Sequence, residues 1–151
     1  MSVESRLKEL GIVLPVVSAP TNSYVLVKQA ASLLFVSGHV PKKEGSYPYL
    51  GNVGAEVTLG QAQESARICI VNCLASIKDY LGDLNNVKNI VKVVGFVASA
   101  PTFTDQPKVI NAASDLLIEI FGEAGRHARS AVGMAVLPSN VPVEIEMVVE
   151  I

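Results

Sequence analysis

Apolar residues at three- and four-residue steps, Leu59, Ala62, Ala66, Cys69, Ile70, Cys73, Ile77 and Leu81, alternate with Glu64, Arg67, Lys78 and Asp79. That period is the mark of one long helix with a buried stripe and a wet back. Thr58 followed by Gln61 supplies a capping box at its start, and Gly82 a stop at its end. A second stripe, Val109, Ile110, Ala113, Leu117, Ile120 and Phe121, predicts another helix, capped by Thr104 or Asp105 with Pro107 in its first turn. Ser5 to Leu10 gives a short helical piece stopped by Gly11, and Pro15 and Pro20 keep the next stretch extended or irregular.

Between these helices the apolar residues change character. Tyr24 to Gln29 and Leu33 to Ser37 are rich in strand formers, and the short join through Ala30 and Ala31 predicts an antiparallel hairpin. Val87 to Ala98 is β-branched and reads as a central strand, and Ala131 to Val136 and Val143 to Ile151 are two more. His39 to Gly54, rich in Gly, Pro, Lys and Tyr, reads as a surface excursion that covers a pocket or reaches another subunit. The order strand, strand, helix, strand, helix, strand, strand predicts an α+β fold, a mixed β-sheet with two helices packed on one face. No third long helix is available for the other face. Packing that face against further copies of the chain buries it, so a ring-like homo-oligomer is expected.

Composition narrows the function classes. A chain of 151 residues and 16.0 kDa has the size of one domain, 1–151, with its own core. Hydrophobic residues make up 50% and charged ones 17%, lean in charge and consistent with a covered apolar face. With 12 Lys and Arg against 14 Asp and Glu, the net charge of −2 gives no broad attraction to a phosphate backbone, so nucleic acid is not an expected partner. No run approaches about 18 apolar residues, so no membrane partner is expected. The first residues lack the pattern of a signal peptide, and a cytoplasmic location is the expectation. Cys69 and Cys73 read as free buried thiols, and with no second pair of ligands no metal is called for. Walker A, dinucleotide-binding and HExxH patterns are all missing, and no cofactor is implied.

The concentrated chemistry lies in GRHARSAVGMAVLP, Gly125 to Pro138, where Arg126, His127 and Arg129 stand together before an apolar run. An arginine offers a planar, permanently charged fork that fits the two oxygens of a carboxylate. Read by residue type alone, Arg129 either holds such a ligand or closes a salt bridge across an oligomer contact. Glu144 and Glu146 flank Ile145, so in a strand both acids share one face. Glu144 is then either a base toward a water molecule or the partner of an arginine.

LLFVSGHVP, ARSAVGMAVLP and VEIEMVVEI, taken in this order, resemble the RidA/YjgF family of reactive enamine and imine deaminases, also labelled endoribonuclease L-PSP or translation inhibitors. The resemblance runs from about Ser18 to the C-terminus. It implies a chorismate-mutase-like homotrimer with clefts between subunits. It further implies a hydrolase of the 2-iminobutanoate/2-iminopropanoate type, which releases ammonia and a 2-oxo acid from a small carboxylate-bearing imine or enamine. By position the resemblance makes Arg129 the carboxylate anchor, Glu144 the catalytic acid that assists water, and Tyr24, Gly38 and Asn111 substrate-binding. His39, His127 and Ala131 are assigned to the pocket rim. Several positions depart from the family pattern: Val25 and Leu26 replace a polar shoulder, His39 a common glutamine and Ala131 a common cysteine, and the Lys42 to Ala55 loop is unlike the usual one. A small-metabolite-binding trimer without turnover is the alternative function these departures raise. An endoribonuclease ranks below it.

Overall fold

The computed structural model describes residues 1–151 as five strands in one sheet and three α-helices. In chain order these are α1 (Val3–Glu9), β1 (Val27–Ala30), β2 (Leu33–His39), α2 (Leu59–Leu81), β3 (Asn89–Ala98), α3 (Gln106–Phe121), β4 (Ala128–Met134) and β5 (Val143–Glu150). Across the sheet the order is β1-β2-β5-β3-β4. Only β3 and β4 are parallel neighbours, joined by the α3 crossover. β5 is antiparallel to both β2 and β3 and sits between them. The expected mixed sheet with two long helices on one face is the observed architecture, with α1 as a short addition. No helix is long and apolar enough to cross a membrane.

Local chemistry accounts for the elements. Thr58 accepts the Gln61 N–H at 3.2 Å while the Gln61 side chain accepts the Thr58 N–H at 3.0 Å, the reciprocal box that starts α2. Ala62, Ala66, Cys69, Ile70, Cys73 and Ile77 form its fully buried stripe. Asp105 is the N-cap residue of α3, without a side-chain capping bond, and Pro107 lies in the first turn. In the β1–β2 hairpin Ala30 pairs with Leu33, and Ala31 takes the left-handed φ of 53° that a tight turn requires. Gly95 lets α3 approach the sheet: a Cβ there would overlap the Ile110 side chain.

Alternation along the strands divides the sheet into two unequal faces. Val143, Ile145, Met147 and Val149 are buried under the helices, whereas Glu144, Glu146, Val148 and Glu150 point the other way. On that open face Phe35, Val132 and Met134 remain 47%, 41% and 37% exposed, so the face is substantially apolar and uncovered within one chain.

Several boundaries differ from those read in the sequence. β1 begins at Val27, because Tyr24 donates its N–H to the Asn22 carbonyl in a local turn and Leu26 meets Ser37 outside the regular ladder. β4 begins at Ala128 and ends at Met134, since its parallel register with β3 opens at the Lys92–Ala128 pair and the Ala135 carbonyl is taken by the Asn52 side chain. Arg129 therefore lies inside a strand and not before one. The segment after His39 is less superficial than expected: Val53 and Val57 are buried, and Val53 bonds Ala98 and Ala100 across the end of β3.

Candidate functional site

Arg129 and Asn111 meet directly. Parallel pairing sets Arg129 opposite Val93, a residue buried beneath the helices, so the arginine points to the helix side and reaches α3. Its Nη1 donates to Asn111 Oδ1 at 2.8 Å and to Ser114 Oγ at 3.2 Å. Asn111 and Ser114 are three residues apart on α3 and share one helix face. His127 lies beside them, with Nε2 2.9 Å from Ser114 Oγ and Nδ1 2.7 Å from the Gly125 carbonyl oxygen. Burial holds the His127 imidazole below the usual histidine value, against an upward pull from the Gly125 bond and with a smaller downward contribution from the charge of Arg129. The four ion pairs of the chain do not include Arg129, whose charge is uncompensated within the subunit. Arg126 is already committed, its Nε 2.9 Å from Glu123 Oε1.

Glu144 and Gly38 form a second group, and Tyr24 shares a cavity with Gly38. Glu144 pairs in register with Phe96 and stands on the open face of β5. Partial burial, with a further contribution from Glu146, lifts its carboxyl above the ordinary carboxylate value. Gly38 is where the backbone of β2 comes close: a Cβ there would lie 2.9 Å from Glu144 Cδ and 3.1 Å from Oε2. Gly38 and Tyr24 line a cavity of about 530 Å³, bounded also by His39, Asn72, Ser76 and the Pro15 to Pro20 strap. Tyr24 is 50% exposed at its mouth. His39 is buried, its Nδ1 2.6 Å from the Ser37 carbonyl oxygen and its Nε2 2.8 Å from Ser76 Oγ, and burial lowers its pKa.

Within one chain the structure does not bring Arg129 and Glu144 together. β3 runs between their strands, and the two side chains project from opposite faces of the sheet. Ala131, two residues after Arg129, shares its helix-side orientation and packs partly buried against the core. No three His, Cys, Asp or Glu side chains gather in a way that could hold a metal ion. Two hydroxyls, Ser114 and Ser76, escaped the reading of the sequence. Ser114 was accessible in principle, one helical turn after Asn111, whereas Ser76 is hidden in the apolar stripe of α2. Chemically, one group offers an unneutralised guanidinium for an anion, and the other a carboxylate biased toward holding a proton against the backbone of Gly38.

A family model described as "YjgF/chorismate_mutase-like, putative endoribonuclease" matches residues 4–151. The last two words of that description are also applied to a crystal structure from Shewanella oneidensis MR-1, 34% identical with a TM-score of 0.96, covering 100% of both chains. The crystal structure of the Agrobacterium tumefaciens protein Atu1372, of unknown function, is 48% identical with a TM-score of 0.93, over 99% of this chain and 93% of that one. Protein TCP17 of Trypanosoma cruzi is 43% identical over 150 residues, 99% of this chain and 94% of its own length.

Proposed function

Because the chain belongs to the YjgF/chorismate-mutase-like family and carries its fold, we propose that it hydrolyses small 2-imino or enamino acids to 2-oxo acids and ammonia, in clefts between the subunits of a homotrimer. The observation that carries the reading is the division of the site into two halves on opposite sheet faces. Arg129 with Asn111 is an anion-binding half without an anion partner, and Glu144 with Gly38 and Tyr24 is an acid–base half. In the proposed trimer the apolar open faces pack inward around a threefold axis, and Arg129, carried on the edge strand β4, meets the Glu144 half of a neighbouring subunit.

The roles follow from the groups. Arg129 pairs with the substrate carboxylate and fixes the imine carbon in the cleft. Water attacks that carbon as Glu144 takes one of its protons, giving a tetrahedral carbinolamine. Glu144 then returns the proton to the nitrogen, the carbon–nitrogen bond breaks, and ammonia leaves as the freed Glu144 carboxylate takes the hydroxyl proton and the carbonyl forms. A carboxyl with a raised pKa suits both half-reactions, because its carboxylate is a stronger base toward the attacking water than an ordinary one and then holds the proton until the nitrogen takes it. An enamine enters the same route after protonation at carbon. Ribonucleolytic action is disfavoured, because pairing of Arg126 to Glu123 reduces the cationic knot to one free arginine.

The test is hydrolysis of an imino acid freshly generated by an amino-acid oxidase. The expected result is acceleration by the parent protein, loss of substrate binding in Arg129→Ala, and a fall mainly in kcat in Glu144→Gln. No acceleration by the parent across several side-chain types overturns the assignment.

A further inference from the structure

We propose that Ser114 and His127 are positioning residues for Arg129, forming a relay that presents the Nε/Nη2 edge of its guanidinium to the substrate carboxylate; the inference rests on the function proposed above. The direction of every bond in the relay can be deduced. A guanidinium only donates, so both Asn111 Oδ1 and Ser114 Oγ accept from Arg129 Nη1, at 2.8 and 3.2 Å. Nη1 has two hydrogens and both are thereby used. The donors that remain are Nε–H and the two on Nη2, the parallel pair that meets a carboxylate with two bonds.

Ser114 accepts from Arg129, so its single proton is free for His127 Nε2 at 2.9 Å. Nε2 is then an acceptor, and the ring hydrogen sits on Nδ1, donated to the Gly125 carbonyl at 2.7 Å. That carbonyl is itself held in place. A Cβ on Gly125 would overlap the Leu117 carbonyl oxygen, so the Gly125 turn is packed against the backbone of α3. The relay therefore runs from fixed backbone through His127 and Ser114 to Arg129, while Asn111 holds the same nitrogen from the neighbouring turn of α3.

A proton on His127 Nε2 would turn that atom into a donor and set a second cation beside Arg129. The charged groups around the ring are Arg129 on β4 and the exposed Glu123–Arg126 pair in the preceding turn, while α3 presents the neutral Ser114 and Asn111. A carboxylate bound to Arg129 cancels the repelling charge, so His127 should accept a proton more easily in the complex than in the free protein.

Steady-state hydrolysis of 2-iminobutanoate, together with titration of 2-oxobutanoate as a carboxylate probe, tests the relay. Ser114→Ala is expected to raise KM and the probe's Kd about tenfold with kcat nearly unchanged, and Ser114→Thr to restore both. In the parent protein, saturating 2-oxobutanoate is expected to raise the His127 titration midpoint followed by NMR, and to leave it unmoved in Arg129→Ala. Unchanged KM and Kd in Ser114→Ala, no recovery in Ser114→Thr, or a His127 midpoint indifferent to bound carboxylate each overturn the relay. The parent NMR measurement decides the matter even where a variant fails to fold. Probe binding without turnover overturns deamination and leaves the relay standing, whereas no probe binding by the parent overturns both.

Discussion

Replacing Gly38 by alanine probes the acid–base half of the site with one methyl group. The added Cβ would lie 2.9 Å from Glu144 Cδ, 3.1 Å from Oε2 and 3.2 Å from Cγ, whereas ordinary contact begins at 3.4 Å. The carboxyl must withdraw by about half an ångström, and as the end of a flexible side chain it can, at about 1 kcal/mol of rotamer strain. Gly38 is not among the glycines with positive φ, so the methyl meets no backbone penalty. Loss of glycine freedom in the unfolded chain returns about 0.4–1 kcal/mol, and net stability should change by less than about 1 kcal/mol. Catalysis is more sensitive: a displacement of about 1 Å can cost about a hundredfold, so a fall of about tenfold or more in kcat is expected. Hydrolysis of freshly generated 2-iminobutanoate, paired with a denaturant unfolding curve, separates the two quantities. An unchanged kcat, or a loss of activity accompanied by collapse of the unfolding midpoint, refutes the placement of Glu144 against Gly38.

Other outcomes follow from the same geometry. Gly125→Ala meets the Leu117 backbone, which has no rotamer to yield, so an unfolding midpoint equivalent to a loss of about 3 kcal/mol is expected from denaturant titration. His39 and His127 both have native pKa values lowered by burial, so the unfolded chain binds more protons just below the usual histidine value of 6.5. Their contribution to stability is complete above that value and is lost as pH falls through it toward the native values, which unfolding curves across this range will show. The acid limb of kcat/KM, set by deprotonation of Glu144, is expected above the ordinary carboxylate value of 4.5 and should move down in Glu146→Gln, which removes the second cause of the shift.

The helices were legible because their signals are local. Thr58 and Gln61 sit within one turn, and the stripe from Ala62 to Ile77 repeats at the helical period without help from the rest of the chain. The alternation of Glu144, Ile145 and Glu146 was equally direct, and the two acids do share a face. Strand order was not legible. Nothing near Val143 says that β5 will insert between β2 and β3, because that depends on pairing across more than a hundred residues. The site was legible through the family resemblance, so Arg129, Asn111, Glu144 and Gly38 could be named but their partition between two faces could not. That partition depends on register: Arg129 faces inward because it stands opposite Val93, and Glu144 outward because it stands opposite Phe96. His127 was assigned to a rim, and its bond to Ser114 appears only when β4 is laid beside α3.

Mixing inactive subunits tests the central claim most directly. Arg129→Ala and Glu144→Gln chains are each expected to be inactive in imine hydrolysis, since every cleft then lacks its anchor or its acid–base group. Dissociated together and reassembled in equal amounts, they should form clefts with an intact Arg129 from one chain and an intact Glu144 from its neighbour in about a quarter of cases, recovering about a quarter of the parent activity. A mixture as inactive as its two components would contradict a site completed between subunits.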